Sequence, residues 1–432
     1  MKFVSILGLA SMASAHTSFT TLFINGKNQG DGTCVRMPHD GDTATFPVQP
    51  ITGNDMACGR DGNEAVKYVC PAEKASTLTF EFRLWPDAQH PGSIDPGHLG
   101  PCAVYLKKMD DILTDQAKGP GWFKIWEDGY NKETDKWCVD HLVENNGLLS
   151  VTLPKNLPTG YYLVRPEILA LHFARHGDPQ FYVGCAQIFV QSDISGPLEV
   201  PDEYLATIPG YVNADTPGLT YNIYRNNLPP YPIPGPKVFM PKVGPKNAKS
   251  KAVQEEGKIP SDCILKNGNW CAKALAPYSG EDPCWTAVKQ CYIQSKQCWG
   301  TAPPVGSANC DTWSAYCQQM NDECEAGHFT GPPKFKGVEK SAPLPGPIPK
   351  PWNDVFEKGR DAVSIGKVSA EQSPKDETPK EDPYKAYGED GGDLESDETV
   401  TIFETVTVFV TATPSPSSSF VTLTTSKAPA GQ

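Results

Sequence analysis

Leu78-Thr79-Phe80-Glu81-Phe82-Arg83-Leu84-Trp85 alternates apolar and polar residues with a period of two, the spacing of a strand that buries one face. The same period runs through Val104 to Leu106 and Leu149 to Leu153. Between such segments stand Asn25-Gly26, Asp61-Gly62, Asp128-Gly129, Asn146-Gly147 and Pro158-Thr159-Gly160, each a turn signal. Many short strands at close spacing, with no long amphipathic helix from His16 to about Met240, predict an all-β fold, an immunoglobulin-like β-sandwich. Cys34, Cys58, Cys70, Cys102, Cys138 and Cys185 lie in this region, and spacing alone does not choose their pairing.

The chain has 432 residues with 42 Pro and 38 Gly, too long for one ordinary domain, so two or three units are expected. Met1 to Ala15 has a positive start at Lys2, an apolar core from Phe3 to Leu9 and small residues at Ala13-Ser14-Ala15, the pattern of a secretory signal (1–15). Cleavage there leaves His16 first and makes the protein secreted and extracellular, a setting in which its 14 cysteines form disulfides. Residues 16–240 are the expected sandwich and 241–262 a Lys- and Pro-bearing linker. Residues 263–324 carry eight cysteines, a unit too small to stand on its core alone and expected to be disulfide-rich. Its tryptophans, Trp270, Trp285, Trp299 and Trp313, lie among the cysteines and are expected in its core, a sugar-stacking platform being the alternative. Residues 325–432 are expected to form a disordered tail, with 14 acidic against 6 basic residues from Asp354 to Val400 and a Ser/Thr-rich end.

A formal net charge of −13 with no basic stripe argues against a nucleic-acid partner. After the signal no apolar run is long enough for a membrane span, so no membrane partner is expected. A monomer is expected.

An N-terminal histidine offers two nitrogen donors on one residue, its imidazole and an α-amine of pKa about 7.7–8.0 that bound Cu(II) readily deprotonates. His98 stands in Pro96-Gly97-His98-Leu99-Gly100-Pro101, a stiff turn that suits a ligand better than a strand position does. His172 and His176 have i, i+4 spacing, but Gly177-Asp178-Pro179 ends the segment at once, so a turn is expected there rather than a zinc-binding helix. Alternation places Gln180 and Tyr182 on one face of a strand and Phe181 on the other.

Several longer motifs occur together. His16 after the signal, Ile24-Asn25-Gly26, Gly97-His98-Leu99-Gly100-Pro101, the run from Gly160-Tyr161-Tyr162 through Arg165-Pro166-Glu167 to Leu171-His172, Gln180-Phe181-Tyr182-Val183-Gly184-Cys185-Ala186-Gln187-Ile188, Asn222-Ile223-Tyr224 and Tyr231-Pro232-Ile233-Pro234-Gly235-Pro236 are all present. From His16 to about Phe239 the chain resembles the fungal lytic polysaccharide monooxygenases of auxiliary activity family nine. The resemblance implies one copper ion held by the α-amine and imidazole of His16 and the imidazole of His98, with Tyr182 as a distant axial group. It implies His172 and Gln180 as hydrogen-bond donors beside the open metal position, Tyr231 on a flat substrate surface, and a Cys58–Cys185 disulfide. Cys102 with Cys138 and Cys34 with Cys70 are expected only as the pairs that remain. The implied activity is copper-dependent oxidative cleavage of a β-1,4-glucan, cellulose, at C1 and/or C4, using an external electron donor and oxygen or hydrogen peroxide as co-substrate. Pro166 and Gly97 depart from the family pattern, and neither is a ligand position. The competing reading is a secreted copper-binding or copper-delivery protein, which would need the ligands but not His172 and Gln180.

Overall fold

The Leu78 segment is a central strand of the smaller of two sheets. In chain order the elements are β1 (Ser18–Ile24), β2 (Lys27–Asn28), β3 (Val35–Arg36), β4 (Cys70–Glu73), β5 (Thr77–Arg83), β6 (Cys102–Met109), β7 (Gly119–Asp128), α1 (Cys138–Glu144), β8 (Leu148–Thr152), β9 (Gly160–Ala170), β10 (Gln180–Val183), β11 (Cys185–Gln191) and β12 (Leu205–Ile208). A hairpin, β13 (Cys263–Asn267) and β14 (Trp270–Lys273), and two helices, α2 (Glu281–Gly300) and α3 (Ala308–Glu325), follow. The molecule is a computed structural model that describes residues 16–242 and 253–352. The expected signal segment, the middle of the expected linker and the acidic and Ser/Thr-rich stretches after Trp352 lie outside the described residues.

One sheet has the order β2-β1-β5-β8 and the other β12-β7-β6-β9-β11-β3, with β10 also paired to β9 and β4 to β11. Phe80 stands across from Leu22 on one side and Leu149 on the other. Asn25 (φ 50°) and Gly26 (φ 78°) make the tight turn from β1 to β2, the left-handed pair that a two-residue hairpin needs. Between the sheets Phe80, Phe82, Leu149 and Val151 meet Val104, Leu106, Val164 and Ile188, all fully buried. Each such side chain contributes about 1.5–3 kcal/mol by leaving water.

β9 carries Pro166 in its middle, facing Val104 of β6. Proline has no N–H to give to a strand on its other edge. The registers of β10 and β11 on β9 place Gly184, the break between them, across from Pro166. The ladder is therefore interrupted where its donor is missing, and β10 is free to take the course that carries Gln180 and Tyr182.

The polar face of β5 differs from a solvated strand face: Thr79, Glu81 and Arg83 are buried too. Arg83 donates to Glu81 at 2.7 Å and to Thr21 Oγ1 and Asp31 Oδ1 at 3.0 Å, and Thr79 Oγ1 lies 2.8 Å from Ser150 Oγ. Ala342 N donates to Asp31 Oδ2 at 2.9 Å, and Pro343 and Pro345 line the cleft beside Glu81 and Arg83. Further on, Trp126 Nε1 donates to the Trp352 carbonyl and Trp352 Nε1 to Asp128 Oδ2, each at 2.9 Å. The start of the expected disordered tail is thus held in place, residues 330–340 on the cysteine-rich unit through Tyr278, Tyr316 and Asn309, and residues 342–352 on the sandwich. A proline-rich segment loses little backbone freedom on docking, so a few hydrogen bonds and one indole suffice.

Cys34–Cys70, Cys58–Cys185 and Cys102–Cys138 are the disulfides of the sandwich. In the second unit Cys263 pairs with Cys271, and Cys284, Cys291 and Cys298 of α2 pair with Cys324, Cys317 and Cys310 of α3. No free cysteine occurs among the described residues, and none of their helices is long and apolar enough to cross a membrane. Trp270 and Trp313 are buried, as expected, but Trp285 and Trp299 are 37% and 47% exposed. The hairpin turn docks on the sandwich through Asn269, which accepts from Cys34 N and donates to the Gly32 carbonyl, while Thr33 Oγ1 donates to the Gly268 carbonyl.

Candidate metal centre

His16 stands two residues before the start of β1. The next residue, Thr17, is buried, and its hydroxyl donates to the Ser93 carbonyl at 2.6 Å. This ties the start of the strand to the loop that leads to His98. In that loop Gly97 N donates to Asp95 Oδ1 at 2.7 Å and His98 N to the Asp95 carbonyl at 3.0 Å, an Asx turn that fixes the backbone under the imidazole. The loop is zipped to the end of β9: Leu169 N donates to the Pro101 carbonyl and Leu171 N to the Leu99 carbonyl. Between them, a Cβ on Gly100 would lie 1.8 Å from the Leu169 carbonyl oxygen. Gly100→Ala must therefore push backbone from backbone, and we expect a loss of about 1–3 kcal/mol in stability, read from the denaturant midpoint. An unchanged midpoint would contradict the close approach.

The zipper brings His98 and His172 together with ring centroids 4.0 Å apart. β10 pairs with β9 as Gln180↔Ala170 and Tyr182↔Ile168, so Gln180 and Tyr182 share a face and Tyr182 OH donates to Gln180 Oε1 at 2.8 Å. Phe181 packs into the apolar cluster on the opposite face. Gln180 Nε2 reaches Asp178 Oδ2 at 3.3 Å, and Gln49 Nε2 holds the other carboxylate oxygen at 3.0 Å.

Three rings converge. Centroids are 6.4 Å apart for His16 and His98, 6.2 Å for His16 and Tyr182, and 6.0 Å for His98 and Tyr182. With metal–nitrogen bonds of about 2.0–2.1 Å, two imidazoles facing each other across one ion have centroids roughly 6 Å apart. The pair therefore fits a shared ion. His98 is almost fully buried, and its Nδ1 lies 3.8 Å from Asp95 Oδ1, too far for a hydrogen bond. Burial, helped by neighbouring His172, pushes His98 down to about 4, and burial lowers His16 as well. Both imidazoles are thereby kept neutral at pH 7, the form in which imidazole binds metal.

Of the other residues singled out in the sequence, Tyr231 stands 5.0 Å from both Trp137 and Tyr221 and donates its hydroxyl to the Gly218 carbonyl at 2.9 Å. Its aromatic neighbours hold the ring and its hydroxyl is used internally. His176 ends a short turn at Gly177 (φ 82°) and accepts from Arg175 Nε, apart from the converging rings. Sequence reasoning missed Thr17, Asp178 and Phe46, whose ring lies 5.1 Å from that of His16. Only Thr17 carried a signal, its place beside His16.

A family model described as Auxiliary Activity family 9 (formerly GH61) matches residues 16–231, and His16, His98, His172, Gln180 and Tyr182 all fall within it. The chain belongs to Auxiliary Activity family 9. It is 49% identical over 335 residues to an Aspergillus tamarii protein named AA9 family lytic polysaccharide monooxygenase C, covering 75% of this chain and 89% of that one. An Emericella nidulans protein named AA9 family lytic polysaccharide monooxygenase A is 46% identical over 336 residues, 76% of this chain and 58% of its own length. One from Botryotinia fuckeliana, named AA9 family lytic polysaccharide monooxygenase H, is 41% identical over 383 residues, 85% of this chain and 87% of its own. Matches of that length run beyond the family segment into the cysteine-rich unit. As an AA9 member the chain is a monooxygenase acting on polysaccharide.

Proposed function

We propose that the chain is secreted, trimmed to begin at His16, and binds one copper ion through the His16 amine, the His16 imidazole and the His98 imidazole, in order to cleave β-1,4-glucan, cellulose above all, at C1 and/or C4. Copper, when bound, supplies one-electron redox chemistry toward oxygen or hydrogen peroxide after reduction by an external donor. The observation that carries this reading is the convergence of the His16, His98 and Tyr182 rings at 6.0–6.4 Å. Three nitrogens with a phenol oxygen to one side suit copper better than zinc, which prefers a closed tetrahedron.

The chain's own groups do the positioning. Tyr182, buried, donates its hydroxyl to Gln180 Oε1, which fixes the Gln180 amide by its oxygen; its nitrogen has two N–H groups, of which one reaches Asp178 Oδ2. The His172 ring lies 4.0 Å from that of His98, tilted by 41°, and is buried in turn, so a proton on its ring is held next to the proposed metal ligand rather than in bulk water. Removing a positioned proton donor costs about 10²–10⁴-fold in rate. His172→Ala is therefore expected to slow oxidation by about 10²-fold or more while one copper still binds, measured by product release beside a copper titration. A retained rate would contradict the role given to His172, whereas a parent protein that binds copper and releases no oxidised sugar would return the chain to a copper-carrier reading.

Copper-loaded protein incubated with amorphous cellulose and ascorbate, with products read by mass spectrometry, tests the function. Aldonic acids report attack at C1 and 4-ketosugars attack at C4. Absence of both products, from protein shown to start at His16 and to hold copper, would contradict the proposal.

A further inference from the structure

The cysteines of α2 recur every seven residues, at 284, 291 and 298, and each is followed by an aromatic residue: Trp285, Tyr292 and Trp299. A disulfide seam between two helices needs the cysteines but not their aromatic neighbours. Seven residues make almost two turns, so the three rings fall in a row along one flank of the helix, roughly 10 Å apart. They are 37%, 38% and 47% exposed, large apolar surfaces left in water although the unit has a core of its own. Two of the three polar tips are anchored by α3: Tyr292 OH donates to Gln318 Oε1 at 2.9 Å and Trp299 Nε1 to Ser314 Oγ at 3.1 Å. Gln318 Nε2 is held in turn by Asp322 Oδ1 at 2.8 Å. The three disulfides between α2 and α3 stop the helices from sliding, so the spacing of the row is fixed before any ligand arrives.

We propose that Trp285, Tyr292 and Trp299 form a binding site for an extended β-1,4-linked glucan chain, separate from the His16–His98 centre. A β-1,4-linked glucan repeats every two sugars, over the same length as the interval between these rings, and alternate sugars present the same flat C–H face to an aromatic surface. Stacking on such faces requires aromatic rings that are exposed, oriented and evenly spaced. Amide and carboxylate groups of Gln318 and Asp322 border the row and suit sugar hydroxyls. Glu281 and Asp282 balance Lys289 and Lys296 on α2, and the bordering α3 carries Asp311, Asp322, Glu323 and Glu325 with no basic residue, a surface that admits a neutral polymer and repels a phosphate-bearing or acidic one.

The test is capture of the full chain by microcrystalline cellulose, with metal removed and no reductant present. The triple variant Trp285→Ala, Tyr292→Ala, Trp299→Ala is expected to lower the partition onto cellulose by about 10-fold or more, each lost stacking ring being comparable to an aromatic contact elsewhere. Trp285→Tyr with Trp299→Tyr keeps a ring at each place and is expected to bind within about threefold of the parent. Unchanged capture of the triple variant overturns the proposal, as does an equal loss in the two variants. A parental dimer that the triple variant fails to form would assign the row to a second copy of the chain and likewise overturn it. Capture in metal-free protein needs no oxidation, so this proposal and the copper reading fail separately: row-independent capture with oxidised products ends the first alone, and row-dependent capture without oxidised products from copper-loaded protein ends the second alone.

Discussion

His98→Ala is expected to weaken copper binding by at least about 100-fold and to end the release of oxidised sugars. The magnitude follows from the small number of donors. In the proposed site His16 offers two nitrogens and His98 the third, and the His98 imidazole is buried, with its pKa pushed down by that burial. Disturbing groups that merely orient a metal ligand already costs about 10–100-fold in affinity or activity, so removing a ligand costs more. A second readout does not depend on catalysis. A ligand at a thousandfold excess over its Kd stabilises the folded state by about 4 kcal/mol, and this copper-induced rise in melting temperature should vanish in His98→Ala. Melting of the metal-free proteins separates loss of the ligand from loss of the fold. If copper raised the stability of the variant as much as that of the parent, His98 would not be a ligand.

Glu167→Ala is expected to cost about 3–5 kcal/mol, roughly 10 °C in melting temperature for a domain of this size. Arg165 is fully buried in the middle of β9, with Nη1 2.5 Å from Glu167 Oε2 and Nη2 donating to the Met56 carbonyl at 2.9 Å. Tyr211 OH also donates to Glu167, and the guanidinium lies 5.4 Å from the Tyr105 ring and 5.8 Å from the Tyr211 ring. Without the carboxylate a charged guanidinium remains in an apolar setting with one carbonyl to satisfy it. Replacing both partners, Arg165→Met with Glu167→Leu, removes the charge along with its counterion and should recover most of the loss, because the expense lies in the unpaired charge. A drop below about 1 kcal/mol for Glu167→Ala would mean that water reaches this site. The pair matters to the metal centre because β9 carries the backbone that grips the His98 loop and ends beside His172.

The sandwich was legible because the period-two pattern around Phe80 and the Asn-Gly turns are local signals, each enforced by backbone sterics within a few residues. The covering of the polar face of β5 was not. Glu81 and Arg83 look like solvent-facing residues, and what buries them arrives from Ala342 and its neighbours, far along the chain. At the site, the alternation of Gln180, Phe181 and Tyr182 could be read directly from strand geometry. The meeting of His98 with His172 was legible only through the family resemblance and not from spacing, since it depends on Gly100 allowing two backbones to touch. Trp285 and Trp299 were misjudged for a simple reason. A residue next to a cysteine on a helix is turned about 100° away from the seam, whereas Trp313, three residues after Cys310 and four before Cys317, returns to it.

The most direct test is electron paramagnetic resonance, with nitrogen couplings resolved, on the Cu(II)-loaded protein whose first residue has been verified as His16. One copper per chain coupled to three nitrogens, two from imidazoles and one from an amine, is the predicted result. A stoichiometric copper coupled to fewer than three nitrogens, or a spectrum unchanged by His98→Ala, would contradict the account.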